Sequence, residues 1–81
     1  MQVRVRAFAA LRDALGFAET SLGLAEGARI SDLISRLNHD FPAAALTSRR
    51  FSTAVNRSYA GPEHVLREGD EVALIPPVSG G

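Results

Sequence analysis

The sequence contains no cysteine, no tryptophan and no lysine. Without cysteine there is no disulfide, no iron–sulfur ligand set and no thiol nucleophile, so the fold holds by packing alone. Without lysine, all nine basic side chains are arginines, and they offset nine acidic residues to a formal charge of zero. That balance removes the electrostatic reason to expect nucleic acid or an anionic membrane as a partner. The missing lysine fits an arginine-favouring composition. Chemically, it also leaves no side-chain amine on the chain to capture an activated carboxyl. Apolar runs are only a few residues long, so nothing reads as membrane-spanning. The opening Met1-Gln2-Val3-Arg4-Val5-Arg6 alternates apolar and polar, unlike a secretion signal. The expected location is the cytoplasm.

What is present is 81 residues, 46 % of them hydrophobic and 22 % charged. This is one small domain with the composition of a globular chain rather than a disordered one. Residues 2–8 predict a strand, with Val3, Val5 and Ala7 on one face and Gln2, Arg4, Arg6 and Phe8 on the other. Residues 9–15 are strong helix formers that stop at Gly16. Residues 18–24 alternate again and predict a second strand. Ile30, Leu33, Ile34, Leu37 and Phe41 repeat at helical spacing and form one apolar stripe. Ser31 is the expected N-cap of that helix, Asp32 suits its first turn, and Pro42 ends it. Residues 43–50 predict a short helical turn and a solvated Thr47-Ser48-Arg49-Arg50 loop. A strand over 51–56, a turn at Asn56-Arg57-Ser58, a short strand near Tyr59 and a buried strand over 72–75 complete the order.

The order is strand, helix, strand, long helix, then two or three strands. The first and last strands are the most apolar and are expected side by side at the sheet centre. The fold class that results is α+β, a mixed sheet packed on one main helix in the β-grasp, or ubiquitin-like, layout. The expected division is a β-grasp domain over 1–75 and a flexible tail over 76–81.

That tail, Pro76-Pro77-Val78-Ser79-Gly80-Gly81, is the most informative segment. Two prolines stiffen the exit, and two glycines remove every side chain at the end. With glycine at about 7 % of average usage, a Gly-Gly ending arises by chance in about 0.5 % of chains. A frayed end is the bland explanation. A carrier is the functional one. A terminal carboxylate, with a pKa near ~3.5, is ionised at neutral pH and a poor electrophile. It becomes reactive as an acyl-adenylate, from which a sulfur nucleophile displaces AMP. The chain has no phosphate-binding glycine loop, so the activating machinery belongs to another protein.

The chain resembles the small subunits of molybdopterin synthase, a family of ubiquitin-like sulfur carriers. The matching residues are Phe8-Ala9 with Arg12 and Leu15-Gly16, the segment Ala54-Val55-Asn56, and Gly69-Asp70-Glu71-Val72-Ala73 with Pro76-Pro77-Val78-Ser79-Gly80-Gly81. The resemblance covers essentially the whole chain. It implies that a ubiquitin-activating-like adenylyltransferase, using ATP and Mg, adenylates Gly81. A persulfide sulfur donor would then convert Gly81 to a thiocarboxylate. The tail, including Ser79 and Gly80, would enter the large, catalytic subunit of the synthase. There sulfur passes to cyclic pyranopterin monophosphate to build the dithiolene of molybdenum cofactor biosynthesis. In that scheme the assembly is a heterotetramer, and this chain is the sulfur-donating subunit, binds no cofactor of its own and is not catalytic alone. The resemblance also implies hydrophobic partner contacts at Phe8, Tyr59 and Ile75, a polar contact at Arg12, and tail contacts at Pro76, Pro77 and Val78. The residues alone leave open that Phe8, Tyr59 and Ile75 complete a minor core instead.

Other signals carry less. His39 and His64 lack metal-ligand spacing, so no metal site is expected. Asp70-Glu71 enters a strand, where neighbours point apart, so a turn role outweighs a catalytic pair. Three other readings stay open: a carrier for thiamine, cysteine or transfer-RNA thiolation, a ubiquitin-like protein modifier, and an interaction module without chemistry at its end.

Overall fold

A computed structural model describes residues 1–77 of the chain. The elements are strand β1 (Gln2–Ala7), helix α1 (Ala9–Leu15), strand β2 (Glu19–Gly23), helix α2 (Ile30–Asp40), strand β3 (Ser52–Val55), strand β4 (Ser58–Tyr59) and strand β5 (Glu71–Ile75). Two short 3-10 turns, Pro42–Ala44 and Leu46–Ser48, fill the segment between α2 and β3. The five strands form one mixed sheet in the order β2-β1-β5-β3-β4. β1 and β5 run parallel at its centre, and every other pairing is antiparallel. The layout is the ubiquitin-like β-grasp expected from the order of elements.

Period-two alternation decides which side of the sheet is buried. Val3, Val5 and Ala7 of β1 and Val72 and Leu74 of β5 are almost fully buried. They meet the apolar stripe of α2, in which Ile30, Leu33 and Leu37 are buried. Ile34 and Phe41 lie at the margin of this core, partly exposed. Leu11 and Leu15 of α1 seal one end, and Gly16 stops α1 in the left-handed region at φ 85°, donating its N–H to the Arg12 carbonyl at 2.8 Å. Phe17 and Phe41 close the margin with rings 5.5 Å apart.

Several boundaries differ from the sequence expectation. The N-cap of α2 is Arg29 rather than Ser31. The Asp32 carboxylate accepts the Arg29 N–H at 2.8 Å. The next two N–H groups, of Ile30 and Ser31, donate to the carbonyls of His64 and Pro62. The 62–66 segment crosses the start of the helix and satisfies donors that a helix terminus otherwise leaves unpaired, so no serine cap is required. β1 ends at Ala7, and Phe8 is the extended N-cap of α1 rather than a strand residue. Phe51 and Asn56 flank β3 instead of belonging to it. The short helical turn expected after Pro42 is present as the 3-10 turn Pro42–Ala44, a second one covers Leu46–Ser48, and Ala44 and Leu46 are buried anchors, whereas Arg49, expected in a solvated loop, donates its Nε to the Ala44 carbonyl at 2.7 Å.

Candidate functional site

The sheet face opposite α2 and the end from which the chain leaves β5 form the candidate site. Val72 and Leu74 point into the core, so Glu71, Ala73 and Ile75 point to the other face. Residues paired across strands share a face. Register therefore sets Arg6, Ala73, Ala54 and Tyr59 in one row from β1 through β5 and β3 to β4. One step further along, Ile75 pairs with Ser52. Because β1 and β5 are parallel with Ala7 opposite Leu74, Phe8 and Ile75 follow at the same end of the sheet. Pro76 and Pro77 leave the sheet there.

The row divides the face into two chemistries. On the β2 side, Arg4, Arg6, Glu19 and Glu71 form a closed network of ion pairs. Arg4 lies 2.9 Å from Glu19 and 3.7 Å from Glu71, and Arg6 lies 3.8 Å from Glu19 and 3.6 Å from Glu71. The hydrogen bond from Arg4 to Glu19, and then the charge of that carboxylate, hold the Arg4 guanidinium above its ordinary pKa, with Glu71 adding to the effect and partial desolvation opposing it. On the β4 side the row is apolar: Ala73, Ala54 and Tyr59. Ala54 is buried although it lies outside the main core, and Tyr59 is 77 % exposed.

Phe8 joins the two halves. It is 39 % exposed, and the Arg6 guanidinium stands over its ring at 5.3 Å. Arg12 lies one turn along α1 and is exposed, with its Nε 3.9 Å from Asp13. Ile75 and Pro76 are half-buried and Pro77 is exposed. The expected site residues thus include Phe8, Arg12, Ile75, Pro76 and Pro77 at one end of the molecule and Tyr59 at the far side of the same face. Val78, Ser79, Gly80 and Gly81 lie outside the described residues. A shallow groove of about 400 Å³ runs beside Tyr59, lined also by Phe51 and Pro62. Among the described residues no cluster of histidine, aspartate or glutamate could hold a metal ion, and no helix is long and apolar enough to cross a membrane.

Two features escape sequence reasoning. The ion network needs the strand register, although the parity of Arg4 and Arg6 hinted at a charged face. The other is Asn56. Its Oδ1 accepts the Glu71 N–H at 3.0 Å, its Nδ2 donates to Asp70 at 2.9 Å, and its own N–H donates to the Glu71 carbonyl at 2.8 Å. Asp70 also accepts the Arg67 N–H, so its turn role holds.

The model of the ThiS family matches residues 5–81. A molybdopterin synthase sulfur carrier subunit of Chlamydomonas reinhardtii is 37 % identical, with all of both chains covered. One of Mycobacterium tuberculosis is 34 % identical over all of this chain and 99 % of that protein. Among solved structures, SAMP1 of Haloferax volcanii superposes with a TM-score of 0.88 at 25 % identity, covering both chains fully. A Pyrococcus furiosus protein described as a candidate molybdopterin converting factor, subunit 1, gives 0.87 at 30 % identity over 96 % of this chain and 99 % of that one.

Proposed function

The chain belongs to the ThiS family and is a sulfur carrier of the kind that its full-length relatives serve in molybdopterin synthase; we propose that Gly81 is the atom-bearing end of that carrier. In this reading a Gly81 carboxylate oxygen attacks the α-phosphorus of ATP and releases pyrophosphate. The terminal sulfur of a persulfide then displaces AMP, and a second thiol cleaves the resulting acyl disulfide to leave a thiocarboxylate. That sulfur passes to cyclic pyranopterin monophosphate on the large subunit. ATP, Mg and the persulfide belong to the activating proteins, and the described residues contribute shape. Phe8, Arg12, Tyr59 and Ile75 dock on the partner, while Pro76 and Pro77 direct Val78, Ser79, Gly80 and Gly81 into it.

The observation that supports this reading best is the extent of the match. The family model runs through to residue 81, and the algal relative aligns over its full length, so the Pro-Pro-Val-Ser-Gly-Gly ending is part of the resemblance. A second reading, a protein modifier, draws support from the likeness to SAMP1, a small archaeal modifier protein by name.

The test is intact-mass analysis after incubation with ATP, the activating enzyme and a sulfur donor. Replacement of one oxygen by sulfur is expected in the chain and absent from a variant lacking Gly81. An unchanged mass in the full chain overturns the proposal. Conversion of the pterin precursor by the loaded chain plus the large subunit separates the synthase from other thiolation routes. Isopeptide products on other proteins, without pterin conversion, favour the modifier.

A further inference from the structure

We propose that Asn56 is a positioning residue for partner docking: it fixes the β3–β4 hairpin against β5 and so holds Tyr59 in place on the open face. The inference rests on the docking role given above to Tyr59.

Tyr59 has little of its own to hold it. It is 77 % exposed and belongs to a two-residue edge strand with only two cross-strand partners, Ala54 for itself and Val55 for Ser58. A hairpin that short is marginal without further support. The turn between the strands is Asn56-Arg57, and both residues have positive φ, 49° and 73°. That combination matches the two-residue turn whose twist suits a hairpin, with asparagine among its preferred residues. Arg57 occupies a conformation that a long side chain rarely adopts, so the turn needs an anchor. Asn56 supplies it through three hydrogen bonds to Asp70 and Glu71. These bonds lie at the start of β5, whose first pairing is with Arg4 of β1. β3 itself pairs with β5 from Ser52 to Val55, and the Asn56 side chain carries that tie past the end of the ladder to the hairpin tip.

A second clamp holds the other side of Tyr59. The Thr53 hydroxyl donates to the Ala60 carbonyl at 2.6 Å, and the Ala60 N–H donates to the Thr53 carbonyl at 3.0 Å. Tyr59 thus sits between two polar fastenings, and neither touches its ring. An aromatic contact of this kind binds more tightly when its position is fixed in advance, because ordering it on binding costs free energy.

The test is a double-mutant cycle on the full chain, read by calorimetric affinity for the large subunit of molybdopterin synthase. Asn56→Gly keeps the positive-φ turn and removes both side-chain bonds. Tyr59→Ala is expected to weaken binding about tenfold. Asn56→Gly is expected to weaken it about threefold in the wild-type background and not at all in the Tyr59→Ala background. An equal loss in both backgrounds, or no loss while Tyr59→Ala still weakens binding, overturns the positioning role. A Tyr59→Ala chain that binds like wild type removes Tyr59 from the docking face, and the inference falls with it. Hydrogen exchange at the Ala60 amide gives a readout independent of any partner. Its protection is expected to fall about tenfold in Asn56→Gly, and unchanged protection also overturns the proposal. Should Asn56→Gly fold poorly, Asn56→Asp, which tolerates the positive φ and keeps an acceptor for the Glu71 N–H but loses the Nδ2 donor to Asp70, repeats the cycle with the same outcomes for and against.

Discussion

Ile75 and Ser52 face each other across the antiparallel β5–β3 pair, and theirs is the last pairing before Pro76 and Pro77 leave the sheet. Neither proline can donate a ladder hydrogen bond, so the sheet ends where the tail begins. The side chain at 75 is thus the apolar contact nearest the root of the tail on the open face.

A charge at that position tests the proposed docking face. Ile75 is only half-buried in the free chain, so Ile75→Asp leaves its carboxylate hydrated there. In a complex that covers the face, the same carboxylate is buried without a partner. Affinity for the large subunit is expected to fall more than about tenfold, with a small change in melting temperature. Calorimetry that finds the affinity unmoved takes Ile75 out of the interface.

The core is tested at Leu37, which has no exposed surface and packs from α2 toward the central strands. Truncation removes its contacts and leaves a cavity that the neighbours fill only in part. Leu37→Ala is expected to cost roughly 2–5 kcal/mol. For a domain this small that is a large share of the total stability, and a clear drop in the urea midpoint checks it.

The elements decided by local chemistry were legible in the sequence, and of the features decided by distant chain the central β1–β5 pairing was legible while the start of α2 was not. α1 was readable end to end, because seven helix formers precede a glycine and a left-handed stop needs nothing beyond that glycine. The central pairing of β1 with β5 followed from their being the most apolar strands. The start of α2 was misplaced because its free N–H groups find carbonyls more than thirty positions later, at Pro62 and His64. Leu66, almost fully buried in a segment full of turn residues, is hidden for the same reason. At the candidate site, strand parity marks Phe8 and Ile75, and the resemblance covers these two and Tyr59. The Asn56 clasp and the arginine–glutamate network depend on how strands far apart in the chain align side by side, which a reading of each strand alone does not give.

That network invites overvaluation, and a substitution measures its worth. Arg4, Arg6 and Glu19 are each about half exposed, and Glu71 is a quarter exposed. Exposed ion pairs contribute little, because water already solvates both partners and salt screens them. Glu71→Gln is expected to lower stability by less than about 1 kcal/mol at low salt, and by less again at high salt. A loss of several kcal/mol in chemical denaturation would mean that the four charges act as one cooperative unit.

Two backbone positions give opposite expectations from the same physical cause. Gly16 has φ 85°, and a Cβ there meets nothing within 4 Å. The penalty for Gly16→Ala is therefore conformational rather than steric crowding by neighbours: a strain of about 1–2 kcal/mol less about 0.4–1 kcal/mol of unfolded-state entropy, a net loss of about 0.5 kcal/mol. Ala45, between the two 3-10 turns, already carries a Cβ in the left-handed region, with φ 50° and ψ 50°, and is exposed. Ala45→Gly relieves a strain of about 1–2 kcal/mol while adding about 0.4–1 kcal/mol of unfolded-state entropy. A net gain of about 0.5 kcal/mol is expected, which for a domain of this size raises the melting midpoint by a few degrees. If both variants lose stability equally, the left-handed conformation at Ala45 is not the one the chain holds in solution.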